Sequence, residues 1–161
     1  MVIPQIKAIL YATDLSESAR NAFGYAALLA ERFAAKLIIV HAMEEFHSES
    51  QIPNFIGEAK WQEFKQSNQQ EIVDMITQRV NDFCHDASSA LPECSITPHT
   101  IVVRQGHAVD IILEEQEENN CDVVVVGSHG MGVLADAMMG STARRVVRRC
   151  KTPVLVVRAA D

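Results

Sequence analysis

Apolar runs alternate with segments of helical period along the whole chain. Residues 6–13 form the first run and predict a strand. From Leu15 onward, Ala19, Phe23, Ala26, Ala27 and Ala30 recur at spacings of three and four, the mark of a helix with one apolar face. A second run, 37–40, continues into His41 and Ala42. Residues 44–56 are polar, contain Pro53 and predict the longest loop of the N-terminal half. Beyond them Trp61 and Phe64, then Ile72, Met75, Ile76, Val80 and Phe83, mark a long amphipathic helix ending before Pro92, with the two aromatic residues read as core. Residues 95–103 predict a third strand, and Pro98 inside it, having no N–H for a ladder, puts that strand at a sheet edge. Gly106 precedes a helix carrying Val109, Ile112, Leu113 and Gln116, whose opposite face, Glu114, Glu115, Glu117 and Glu118, is solvated. Residues 122–127, a helix over 141–149 and a last strand of Pro153, Val154, Leu155, Val156 and Val157 complete the series.

Five strands and four helices in strict alternation imply an α/β fold: a doubly wound parallel sheet with helices on both faces, because parallel neighbours need a crossover helix. Val123, Val124, Val125 and Val126 are apolar on both faces, as a central parallel strand requires. With the third strand at one edge, the order 3-2-1-4-5 follows. Ligands of open sheets bind beyond the strand C-termini where the order reverses, here between strands 1 and 4. Those strands end at Thr13-Asp14 and Val126-Gly127. The last strand leaves an apolar edge that would template association, so a homodimer through residues 153–157 is expected.

The chain of 161 residues has the length of a single domain, taken to span 1–161. Its 21 acidic against 14 basic residues give a net charge of −7, which argues against nucleic acid as the main partner but not against one small phosphate ligand. The cations are uneven: Arg144, Arg145, Arg148, Arg149, Lys151 and Arg158 crowd the C-terminal end. They read either as a solvated helix face near a helix C-terminus or as ligands of a phosphate. Cys84, Cys94, Cys121 and Cys150 are scattered, with no metal-ligand spacing, and read as reduced thiols. The N-terminus shows no secretory pattern and no run is long enough to span a bilayer, so a cytoplasmic protein without membrane insertion is expected.

Candidate chemistry concentrates near the C-terminus. Of seven glycines, four (Gly127, Gly130, Gly132 and Gly140) lie between 127 and 140. Gly127-Ser128-His129-Gly130 follows an apolar strand, and Gly140-Ser141-Thr142 opens a helix, so the segment has the makings of a phosphate cradle. Its spacing is not the dinucleotide G-x-G-x-x-G, nor the Walker pattern, nor a nucleophile elbow. What remains is G-x2-G-x9-G-[ST]. Each residue also has a plain structural reading: Asp14 with Glu17 could start a helix as a capping box, Ser141 could cap its own helix, and His129 could be an ordinary loop histidine. Met138 and Met139 read as apolar fillers packing the loop on the sheet.

That glycine pattern on this alternation resembles the universal stress protein family, specifically its ATP-binding branch. Ala12-Thr13-Asp14-Leu15-Ser16-Glu17-Ser18, Val40-His41-Ala42, Gly106-His107-Ala108 and the terminal strand resemble the family's pattern as well, while Ala12 and Thr142 depart from it. The resemblance implies a Rossmann-like homodimer with ATP as the ligand and Mg or Mn held through its phosphates. It also implies that Asp14 binds ribose or adenine, that Ala12 and Ala42 line an adenine slot, that Gly127, His129 and Gly130 follow the ribose and first phosphates, and that Gly140, Ser141 and Thr142 hold the outer ones. AMP, cyclic AMP, slow ATP hydrolysis and a ligand-free scaffold remain alternatives. No catalytic base is evident beside the loop, so a regulator or sensor in a stress response is expected rather than an enzyme.

Overall fold

The computed structural model describes residues 3–43, 69–89, 98–130 and 139–158. In chain order it contains β1 (Ala8–Ala12), α1 (Glu17–Phe33), β2 (Lys36–Met43), α2 (Gln69–Ser89), β3 (Thr100–Gln105), α3 (Ala108–Glu118), β4 (Val123–Gly127), α4 (Ser141–Arg149) and β5 (Val154–Val157). The strands form one parallel sheet in the order β3-β2-β1-β4-β5, as the alternation predicts.

The period of two along the central strands divides the interior between the two sheet faces. Ile9, Tyr11, Leu37, Ile39, Val123 and Val125 pack beneath α1 and α2, against Phe23, Val80 and Phe83. Leu10, Ile38, Val40, Val124 and Val126 pack on the other face with α3 and α4, against Val109, Ile112 and Val146. The alanines of α1 (Ala19, Ala22, Ala26, Ala27 and Ala30) are buried and let that helix lie close to the sheet. Tyr11 fixes its position, because the phenol donates to the Ala19 carbonyl at 2.6 Å and the ring meets Phe23 edge-on.

Helix α1 starts later than the apolar pattern suggests. Ser16 is the N-cap and accepts from Ala19 N at 3.1 Å. Leu15 adopts φ 64°, turning the chain sharply between β1 and α1, and its N–H is taken up by Thr13 Oγ1 at 3.0 Å. Ala34 closes the helix at φ 50° with the Ala35 N–H on the Ala30 carbonyl, a left-handed position usually given to glycine.

Several boundaries differ from expectation. Pro98 precedes β3 rather than lying in it; β3 is an edge strand because, among the described residues, it pairs only with β2. Glu115, expected on the solvated face of α3, is buried and paired with Arg104 at 2.8 Å, while Glu114 holds the other guanidinium nitrogen at 2.7 Å. Met139 is 37% exposed and does not serve as a buried filler. The 44–56 loop, Trp61, Phe64, Cys94, Gly132 and Met138 lie outside the described residues. Among those described, no helix is long and apolar enough to cross a membrane.

Candidate functional site

The C-terminal ends of β1 and β4 lie side by side, Ala12 in register with Val126. Past β1 the ladder continues for one residue, with Thr13 N donating to the Val40 carbonyl at 3.0 Å. The Thr13 carbonyl then meets His41 Nδ1 at 2.8 Å. A carbonyl only accepts, so Nδ1 carries the proton, and burial pushes the ring's pKa below its usual value and favours the neutral form. His41 therefore pins the turn that presents Asp14. Its signal in the sequence was a single polar residue inside an otherwise apolar strand.

Asp14 Oδ1 accepts from Ser16 N at 3.0 Å, so the carboxylate braces the turn and the capping role falls to Ser16. The capping box with Glu17 does not form; Glu17 is exposed and faces Arg20 at 3.7 Å. The other carboxylate oxygen lies against Gly130: a β-carbon there would fall 2.7 Å from Asp14 Oδ2. Glycine at 130 thus permits the loop after β4 to close onto the turn after β1.

The loop itself is held from two sides through the backbone of Ser128, whose side chain is buried. Its N–H donates to the Val157 carbonyl at 2.7 Å, its own carbonyl accepts from Gly140 N at 2.7 Å, and its hydroxyl lies 2.7 Å from His129 Nδ1. Gly127, the last residue of β4, needs to be small because a β-carbon would come within 3.2 Å of Ser18 Oγ. That Ser18 hydroxyl is buried and has no hydrogen-bond partner among the described residues.

Gly140 is the N-cap of α4, and a β-carbon at 140 would sit 3.3 Å from the Ser128 carbonyl oxygen. Ser141 is therefore the first helical residue and not the cap, and among the described residues no side chain caps this helix. The N–H groups of Ser141, Thr142 and Ala143 have no acceptor inside the helix, and the helix dipole adds positive potential at the same end. No acidic residue occupies the first turn. The arrangement suits an anion arriving at the 127–130 loop.

Ala12 and Ala42 stand half-buried on the sheet face shared with α3 and α4, Ala42 lying two residues beyond Val40, the register partner of Ala12. Two of the crowded arginines turn away toward α3. Arg149 pairs with Asp110 at 2.8 Å, and Arg145 Nη1 lies 3.3 Å from His107 Nε2. Among the described residues, no cluster of three or more histidine, cysteine or carboxylate side chains could hold a metal ion.

Together these features define an open doubly wound α/β fold with Gly127, Gly130 and Gly140 gathered at the switch point of its sheet. The family model of the universal stress proteins matches residues 5–158, and the chain belongs to that family. It is 26% identical over 152 residues to a universal stress protein of Thermus aquaticus, covering 94% of this chain and 98% of the relative. A universal stress protein of Methanocaldococcus jannaschii is 25% identical over 154 residues, covering 94% of each. Among solved structures, a universal stress protein from Lactobacillus plantarum superposes with a TM-score of 0.66 at 20% identity, covering 97% of this chain and all of that one, a likeness of fold. A universal stress protein in complex with cAMP superposes with a TM-score of 0.58 at 26% identity over 98% of this chain and 100% of that chain.

Proposed function

We propose that this protein binds an adenine nucleotide, ATP foremost, in the crevice between β1 and β4, and acts as a dimeric regulator or sensor in a stress response. The observation that carries this reading is the contact of Asp14 with Gly130, which joins the two strand ends, combined with the hydrogen bond that ties the same loop to the uncapped start of α4. Asp14 takes the ribose or adenine, Ala12 and Ala42 line the base, and Gly127, His129 and Gly130 follow the ribose and first phosphates. Gly140, Ser141 and Thr142 hold the outer phosphates through backbone donors. A divalent cation such as Mg or Mn would be held by those phosphates and water. Cyclic AMP is the second ligand to test, because a relative 26% identical is described in complex with it.

For self-association, β5 supplies an edge strand that, among the described residues, is paired on one side only, with Val154, Leu155 and Val156 half-buried. A second copy pairing along it would remove that edge. Light scattering at micromolar concentration should give twice the mass of the chain, and a monomer would overturn this part of the reading.

Acid extraction of undialysed protein followed by mass spectrometry tests the ligand directly, with ATP expected in the extract. Calorimetric titration with ATP and Mg, repeated for Asp14→Ala, completes the test. An empty extract together with no heat from ATP or cyclic AMP would overturn the proposal.

A further inference from the structure

Helix α4 carries four arginines, and their surroundings divide them. Arg145 and Arg149 are engaged with His107, the N-cap of α3, and with Asp110 in its first turn. Arg144 and Arg148 are exposed and make no side-chain hydrogen bond or ion pair among the described residues. Arg144 N donates to the Gly140 carbonyl at 3.1 Å, so this residue closes the first turn. It stands three positions after Ser141 and shares a face with it. Helical side chains lean toward the N-terminus, so the Arg144 side chain starts out toward the first turn of α4. A cation there opposes the helix dipole, and no acid in that turn offsets it.

We infer that Arg144 is a specificity-determining residue of the nucleotide site, selecting ligands by the number of phosphates they carry. The inference rests on the reading given under Proposed function. A first phosphate engaged by the 127–130 loop is met by backbone donors, because Gly140, the N-cap of α4, is bonded to Ser128 of that loop. A second and third phosphate extend over the helix start, where a guanidinium offers paired donors to their oxygens and offsets their charge. Arg148 lies four residues farther along the same stripe, about 6 Å more distant, and serves as the matched control.

The test is calorimetric titration of ATP, ADP and AMP at fixed Mg concentration into the wild type, Arg144→Ala, Arg144→Lys and Arg148→Ala. Loss of one exposed charge-assisted contact should weaken ATP binding about tenfold in Arg144→Ala, ADP less, and AMP by less than about twofold. Arg144→Lys should recover part of the loss, and Arg148→Ala should leave all three affinities within about twofold. Thermal melts should coincide, since alanine is favourable on an exposed helix. Equal weakening of all three nucleotides in Arg144→Ala, or equal effects of Arg144→Ala and Arg148→Ala on ATP, would overturn the inference alone. A wild type that binds no adenine nucleotide would instead overturn the reading on which it rests.

Discussion

Asp14 and Gly130 meet across the switch point of the sheet, so closely that a β-carbon at 130 would fall 2.7 Å from a carboxylate oxygen. Gly130→Ala should therefore push Asp14 off the Ser16 N–H and cost roughly 1–2 kcal/mol. In the Asp14→Ala background the same change should cost little, because the obstructing carboxylate is gone. Urea denaturation of the four proteins measures the non-additivity. Additive effects would mean that the two residues do not press on each other.

Ser141 is the first residue of α4 and exposed, so it allows anion binding to be separated from stability. Ser141→Glu adds a negative charge at a helix N-terminus, which favours the helix by about 0.3–1 kcal/mol. The same charge repels an incoming phosphate. The expected outcome is an unchanged or raised Tm with ATP affinity reduced at least about tenfold. Gly140→Val is a poorer probe, because its side chain would press on the Ser128 carbonyl as well as on any ligand.

His41 makes stability depend on pH. Burial lowers its folded pKa, whereas in the unfolded chain it titrates near about 6.5. The unfolded state therefore binds the proton more readily, and stability falls as pH drops below about 6.5. His41→Asn cannot titrate, and its amide can still donate to the Thr13 carbonyl, so its stability should vary less over pH 5–7. Parallel curves for the two proteins would show that His41 is not the group responsible.

Burial pushes the Cys84 and Cys121 thiols up to about 12. Only a minute fraction of either is thiolate near pH 8, and both are shielded. Peptide mapping after brief treatment with iodoacetamide should find these two unmodified in the native protein and fully modified in urea. The same shift makes folding less favourable as pH rises above about 9, where the thiols of the unfolded chain begin to ionise and the buried ones do not. Rapid native labelling would contradict the burial.

Ala34 holds a left-handed conformation, φ 50° and ψ 39°, at the end of α1. Glycine adopts that region without the β-carbon penalty, so Ala34→Gly should raise stability by about 0.5–1 kcal/mol in spite of glycine's greater freedom in the unfolded chain. A thermal melt suffices to check it.

The sheet order was legible because apolar runs and helical periods alternate without interruption, and because Val123 to Val126 could only be central. Yet the edge position of β3 was inferred from Pro98, which proves to lie outside the strand. Placement was right and its cause was different. Periodicity assigned Glu115 to solvent because a carboxylate on a helix is usually exposed; its burial depends on Arg104, a partner on another element that no local pattern reveals. The candidate site was legible as two segments, the turn after β1 and the glycine loop, which the sheet brings side by side. What joins them was not, since the His41–Thr13 bond and the backbone bonds of Ser128 to Val157 and Gly140 are tertiary contacts.

The crevice is assembled from β1, near the start of the chain, and from β4 and α4, near its end. During synthesis, Asp14 must wait for more than a hundred further residues before Gly130 exists to meet it. No N-terminal fragment that stops before β4 can own half of this crevice in working form, however well its first strands fold. Occupancy of the proposed site would therefore report that synthesis has passed β4 and α4 and that the sheet has closed around its centre.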